Sequence, residues 1–399
     1  MEDMEIQTIY IGGWFQRTTL HLTEIWNFLS EGAFDPYVSG TSTDISAASL
    51  RTVVASLGIR DVSRQPGLLE CVLITTNAGI VCRVYEDGLV VLEKPVTSLK
   101  KDQAEIKDYY ENKLSKAFSL LFSKGAPVPK ELAAIKSIYP FIVTVEDADE
   151  RDVGTIFSTL GQTCHSSIGA RGTRLYRGHE LVVINGAPQR LVCGIVESEI
   201  FFREFKSQLH RYLGIHRQLW ESIAKIKERS KLSGSETSKY RSDLADYQKT
   251  INLIDARIDQ MGAYVRTRQK VAAAQKINAY LDRFLEYKFE TLLDTHEYVR
   301  YLWDMTQNYL NATIAVFDGL QNQATQKAVS TLQLVTLLAT MNVILTAVGK
   351  KDSVLVVSQT GIAYAILLIV LAFSVQKIIT LITKKQSYRL KPERTDAFK

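Results

Sequence analysis

Two stretches near the C-terminus, 328–349 and 353–376, contain no Asp, Glu, Lys or Arg, and only Lys350-Lys351-Asp352 separates them. A helix needs about 20 residues to cross a hydrocarbon core ~30 Å thick, and a charge placed there costs several kcal/mol. Both windows are long enough, so they predict two transmembrane helices. Residues 362–375 (IAYAILLIVLAFSV) are strongly apolar, whereas 331–349 (TLQLVTLLATMNVILTAVG) carry Thr, Gln and Asn at intervals. So short a link folds the pair into an antiparallel hairpin. The tail beyond it holds Lys377, Lys384, Lys385, Arg389, Lys391, Arg394 and Lys399 against Glu393 and Asp396, and a basic flank marks the cytoplasmic side. The expected location is therefore the inner (plasma) membrane, multi-pass, with both termini cytoplasmic and 350–352 outside.

The acidic start, Met1 to Glu5, runs into an alternating segment and offers no basic-then-apolar secretory signal. Seven of the eight prolines lie from Pro36 to Pro188, and none follows until Pro392. Proline costs about 3 kcal/mol inside a helix, so the intervening stretch is free to form long ones. Residues 1–198 read as a cytosolic α+β domain, or two subdomains divided near 127–140. Strands are predicted at Glu5–Ile11, Leu69–Thr76, Ile80–Tyr85, Leu89–Leu92, Tyr139–Val145, Thr173–Tyr176, Glu180–Ile184 and Leu191–Val196, and helices at Asp102–Lys124 and Asp149–Leu160. Residues 199–327 read as a long helical stalk with coiled-coil spacing and a turn at Ser230–Ser238. A straight helix from Glu236 to Val348 would be roughly 170 Å long, so a break is expected near Gly262 or Ala272–Ala274. The hairpin then occupies 328–376 (328–349 and 353–376), and 377–399 is a basic cytosolic tail.

Polar groups at membrane depth face protein or water rather than lipid. At 100° per residue, Gln333, Thr336 and Thr340 share one face of the first span; Thr331, Asn342 and Thr346 lie roughly opposite. The first helix is therefore the inner one, and Gln333, Thr336, Thr340, Asn342 and Thr346 are candidate pore or helix-interface residues. One hairpin cannot enclose a pore, so homo-oligomerisation is expected.

The run from Glu297-Tyr298 to Tyr309-Leu310, the polar Gln323 to Lys327, and Thr331-Leu332 through Leu337-Leu338-Ala339-Thr340 together resemble the approach to the membrane in the CorA family of magnesium channels. The likeness covers about the last third of the chain. It implies a CorA-like funnel: a cytosolic α/β domain, a stalk whose last helix becomes the first span, an outer second helix, and a pentamer. A divalent cation such as magnesium is a possible cofactor by this resemblance alone. The family's Gly-Met-Asn mouth is missing. Its place reads Ala347-Val348-Gly349-Lys350-Lys351-Asp352, while Met341-Asn342 lies within the span and lacks the glycine. Gly349, Lys350, Lys351 and Asp352 would form the outer mouth, and two lysines per subunit there would repel cations.

In Gly161–Arg174 (GQTCHSSIGARGTR), Ser166, Ser167, Gly169, Arg171, Gly172 and Arg174 form a possible phosphate-binding loop, though without the lysine-serine ending of a P-loop. Cys71, Cys82, Cys164 and Cys193 form no CxxC pair, and His210 and His216 share no helical face, so no zinc site or disulfide framework is expected. Asp243, Asp246, Asp255, Asp259, Asp282 and Asp294 alternate with Lys and Arg and read as a salt-bridged face. No nucleophile–base constellation is present, so no enzyme activity is expected, and a net charge of +5 is too modest to argue for nucleic acid. Expected partners are the bilayer and further copies of the chain. Three functions follow: an oligomeric CorA-like ion channel or transporter with a non-standard mouth; a CorA-like effector of a bacterial antiviral defence system, gated by a small nucleotide messenger; and a non-conducting membrane-anchored scaffold.

Overall fold

The computed structural model describes residues 6–16, 21–33, 47–125, 138, 140–229, 231–285, 289–348, 370, 374, 377 and 387–389. Two compact units share the chain. Unit 1 comprises Met1–Leu213 and Leu253–Tyr301; unit 2 comprises Gly214–Asn252 and Leu302–Lys399.

Unit 1 is built on nine strands: β1 (Ile6–Trp14), β2 (Ile59–Gln65), β3 (Cys71–Thr76), β4 (Val81–Tyr85), β5 (Leu89–Pro95), β6 (Phe141–Val145), β7 (Ser166–Ala170), β8 (Thr173–Arg177) and β9 (Leu181–Asn185). They form one sheet in the order β2-β3-β4-β5-β1-β6-β9-β8-β7. Turn chemistry explains the meander: Gly79 and Gly88 take φ of 73° and 88° in the two tight links flanking β4. β6 and β9 pair in parallel and every residue of both is buried, as expected of central strands covered on each face.

Strand alternation sends Ile9 and Ile11 of β1 to one face, beneath α1 (Leu22–Glu31), α3 (Leu99–Asp108), α4 (Ser115–Gly125) and α5 (Glu150–Thr159). A short α2 (Ala47–Ser56) adds Leu50 to that core, and a six-residue π-helix, Tyr109–Leu114, joins α3 to α4. Trp14 points to the opposite face, where it meets Phe201 at 5.8 Å and Phe205 at 5.6 Å from α6 (Gln189–Lys227), and Tyr264 at 5.6 Å from α7 (Gly234–Ala274). Gly12 lets α6 settle there: a Cβ at that position would stand 2.4 Å from the Val90 carbonyl oxygen and 2.9 Å from Ile200.

The strand predicted at Leu191–Val196 is instead the opening of α6. Its apolar LVCGIV run imitates a strand, but Pro188 closes the preceding segment and its carbonyl accepts the Leu191 amide at 2.7 Å. Val192, Ile195, Val196 and Ile200 then bury at helical spacing. The break expected in the arm falls after the alanine run rather than at Gly262. There α7 ends in a Schellman pattern, with Ile277 N–H bonding the Ala272 carbonyl and Lys276 N–H the Ala273 carbonyl, both at 3.1 Å. Lys276 occupies the left-handed position, φ 59°, usually given to glycine. Gly262 lies inside α7, and its missing side chain leaves room for the His296 ring, 3.1 Å from where a Cβ would stand.

After α8 (Asn278–Phe284), α9 (Phe289–Val348) runs 60 residues, about 90 Å at helical rise. Leu292, His296, Val299, Trp303, Thr306, Leu310, Thr313 and Phe317 alternate at spacings of four and three along it, each at most 5% exposed. This is a coiled-coil seam. In α7, Ile251, Ile254, Ile258, Met261 and Val265 repeat the pattern, all fully buried. Within unit 2, Arg241 meets Asp318 (2.9 Å) and Gln321 (2.7 Å), Gln248 meets Asn311 (3.2 Å), and Asn252 meets Gln307 (3.0 Å), so α7 and α9 are antiparallel. There α6 runs parallel to α9, with His216 against Trp303 and Trp220 stacked on Tyr309 at 4.5 Å. The predicted Ser230–Ser238 turn contains β10 (Lys231–Ser233), which pairs antiparallel with β11 (Ser387–Arg389). Ser233 caps α7: its hydroxyl accepts the Glu236 N–H at 3.3 Å, and the Glu236 carboxylate accepts the Ser233 N–H at 2.8 Å.

Among the described residues no helix is long and apolar enough to cross a membrane. The first expected span is helical through Val348, but side chains 341–348 and nearly all of the second span lie outside the described residues.

Candidate functional site

The buried seam of α9 has a counterpart on the helix's outer side. Met305, Ala312, Gly319, Gln326, Gln333 and Thr340 recur every seven residues; Asn308, Ala315, Asn322, Val329 and Thr336 fall between them. All of these residues are exposed and none is charged. Met305 is 40% and Val329 48% exposed, and a Cβ added at Gly319 would meet nothing within 4 Å. Asp304, Asp318 and Lys327 lie off this line. A stripe of apolar, small and amide side chains at heptad spacing suits contact with another helix rather than bulk water.

The structure brings three predicted residues, Gln333, Thr336 and Thr340, onto that stripe, all exposed. The Thr336 hydroxyl donates to the Leu332 carbonyl at 2.8 Å and the Thr340 hydroxyl to the Thr336 carbonyl at 2.5 Å. With each proton given to the helix backbone, each oxygen faces outward as an acceptor. Such a face can receive hydrogen bonds from water or approach a cation. Side chains of Asn342 and Thr346, and Gly349, Lys350, Lys351 and Asp352 altogether, lie outside the described residues. The stripe's upper part was legible in the seven-residue spacing, which the reading for buried residues alone passes over.

The expected phosphate loop is a β-hairpin. Ser166, Ser167 and Gly169 belong to β7 and Arg174 to β8, while Arg171 and Gly172, at φ 50° and 85°, form the two-residue turn between them. Mirror-image turns of this kind match strand twist. β7 and β8 pair in antiparallel register from Ser166 opposite Arg177 to Ala170 opposite Thr173. Arg174 pairs with Glu150 at 3.2 Å, and the Arg171 guanidinium lies 6.0 Å above the Tyr280 ring. Of the arm's acids, Asp246 pairs with Lys249 (3.2 Å) and Asp259 with Arg300 (3.8 Å). Among the described residues no group of three or more His, Cys, Asp or Glu could hold a metal ion.

A buried ionic joint went unanticipated. Arg268 of α7, 4% exposed, forks onto Asp87 at 2.5 and 2.8 Å and reaches Glu197 of α6 at 3.1 Å. Burial alone would lower its pKa, but the two carboxylates outweigh that and hold it above the ordinary value. Tyr85 and Cys193 donate to the other Glu197 oxygen. Burial first, and that carboxylate second, push both of their pKa values up and keep them protonated. The cluster ties α6, α7 and the β4–β5 turn together.

No protein-family model matches the chain, and no curated protein matches it. Among solved structures it is similar to the CorA magnesium transporter from Methanocaldococcus jannaschii, at 11% identity, covering 62% of this chain and 91% of that one with a TM-score of 0.20. A likeness at that score carries no argument about function.

Proposed function

We propose that the chain is one subunit of a homo-oligomeric, CorA-like membrane channel or transporter, embedded by a hairpin at 328–376 and lined by α9. The observation that carries this reading is the exposed, uncharged heptad stripe of α9, which runs from Met305 to Thr340 and so continues into the charge-free window. A monomer in water gains nothing from such a face, whereas copies packed around an axis would bury its upper part and turn Gln333, Thr336 and Thr340 toward a shared lumen. Support for a hairpin comes from β10 and β11. Their pairing ties residues 387–389 to the α6–α7 turn within unit 2, so any crossings between Lys327 and Ser387 must be even in number. Lys350 and Lys351 at the mouth favour a permeant ion other than free magnesium.

Ion flux into liposomes reconstituted with the full chain tests this, with magnesium, potassium and chloride assayed separately. Thr336→Leu with Thr340→Leu is expected to lower flux at least tenfold while the oligomer persists. Unaltered conduction by stable oligomers of that variant would remove α9 from the pore. Stable wild-type oligomers without flux would favour the messenger-gated effector or the scaffold.

A further inference from the structure

Within unit 1, the short helix α8 is fastened at both ends. Its entry is strained: Lys276 sits at φ 59°, where a side chain crowds the following carbonyl. Its exit rests on one cation. The last carbonyls of a helix have no partner within it. Here Arg177 Nη2, from β8, donates to the Phe284 carbonyl at 2.7 Å and to the Glu199 carboxylate of α6 at 3.0 Å. Between these ends α8 lies against β7, with Tyr280, Leu281 and Phe284 buried and the Arg171 guanidinium 6.0 Å above the Tyr280 ring.

Beyond those two bonds Arg177 is poorly satisfied, since its Nε is buried with no hydrogen-bond partner among the described residues. Glu199 is therefore what holds the guanidinium inward. The other charge acting on Glu199 is Arg203 of the same helix, which itself bonds Glu204 at 3.1 Å and the Gly12 and Pro140 carbonyls. Among the described residues no further charge bears on it, and Asp282 and Arg283 of α8 are exposed. Burial, above all, pushes the Glu199 pKa above the usual 4.5, further than Arg177 and Arg203 bring it down. A carboxyl raised in the fold binds its proton more readily there than in the unfolded chain. Acid therefore neutralises Glu199 while unit 1 remains folded.

We propose that α8 is an acid-released strap, with Glu199 as its trigger and Arg177 as its clasp. A neutral Glu199 no longer balances the guanidinium, whose side chain is 21% exposed and has a way out to water. Arg177 then turns outward, the Phe284 carbonyl loses its donor, and the strained link at Lys276 relaxes as α8 leaves β7. In the chain the strap stands directly before α9, which begins at Phe289. The device lies wholly in unit 1 and does not depend on the membrane reading.

Hydrogen exchange of the full chain in neutral detergent, corrected for the intrinsic effect of pH on exchange, tests this between pH 7.5 and 5.0. Amides of β6 and β9 report on the rest of unit 1. On acidification α8 is expected to lose protection roughly tenfold while β6 and β9 keep theirs. Glu199→Gln, neutral at every pH, should show at pH 7.5 the α8 exchange that wild type shows at pH 5.0, and Arg177→Met should do the same. Protection of α8 that moves only in step with β6 and β9, or a wild-type pH response in Glu199→Gln, would overturn the proposal. Should Glu199→Gln fail to fold, Lys276→Gly decides the matter. Relief of the left-handed strain favours the fastened strap, so release should need roughly fivefold more acid; an unmoved midpoint would overturn the strap.

Discussion

Replacing Arg268 with Met, similar in length but uncharged, would leave Asp87 and Glu197 buried with no counter-ion. Breaking a buried ion pair from one side costs about 3–5 kcal/mol, because the remaining carboxylates lose both their partner and access to water. Arg268→Met should therefore lower the midpoint of chemical denaturation sharply, and a midpoint within experimental error of wild type would show that the joint is not holding unit 1 together. His296 is the opposite kind of buried polar group. Its Nε2 lies 2.5 Å from the Ile258 carbonyl, and burial first of all keeps its pKa below the ordinary 6.5. His216 is lowered too, again mainly by burial. A histidine depressed in the fold contributes stability above its unfolded pKa and loses it as pH falls through the folded value. The melting temperature should therefore drop between pH 7.5 and 5.5, and His296→Gln, which retains a donor toward Ile258, should make that drop shallower. An unchanged slope would assign the effect to other groups.

At the scale of elements, α9 wears two heptad patterns, and the described residues of the chain cover only one. The inner seam is occupied within each unit by the chain's own helices; the outer stripe is exposed, and on the proposed reading a second copy covers it. Ala312 sits in the middle of that stripe and Asp304 off it, both exposed. With the exposed Cys164 changed to serine, Ala312→Cys should cross-link into multimers under mild oxidation far faster than Asp304→Cys. Equal rates would mean that the stripe is not the meeting face. The strands and long helices were largely readable because each rests on local signals: alternation, turn glycines, and four-three spacing. Leu191–Val196 misled because a short apolar run satisfies strand and helix alike, and only the continuation through Ile200 and Phe201 separates them. Of the hairpin at 166–177, Thr173–Tyr176 reads as a strand but Ser166–Ala170 reads as loop, because serine and glycine have weak strand preference; that first strand is held by pairing with β8, which β9 flanks.

For the whole molecule, the proposed hairpin puts 350–352 and the tail on opposite sides of a bilayer. With Cys164 again removed, Lys351→Cys should react with an impermeant maleimide added outside intact cells, and Ser387→Cys only after permeabilisation. Reaction of both from outside would rule out the hairpin. The sequence by itself determined the apolar C-terminal windows, the proline-free arm, the heptad spacing and most of the strands, since each follows from composition or periodicity within a few turns of chain. Only the tertiary structure decided which heptad face is covered, which strands become neighbours, that Arg268 reaches back to Asp87 across 181 positions, and that the tail returns to the α6–α7 turn. Those outcomes depend on contacts between residues far apart in the chain, and no local pattern records the partner.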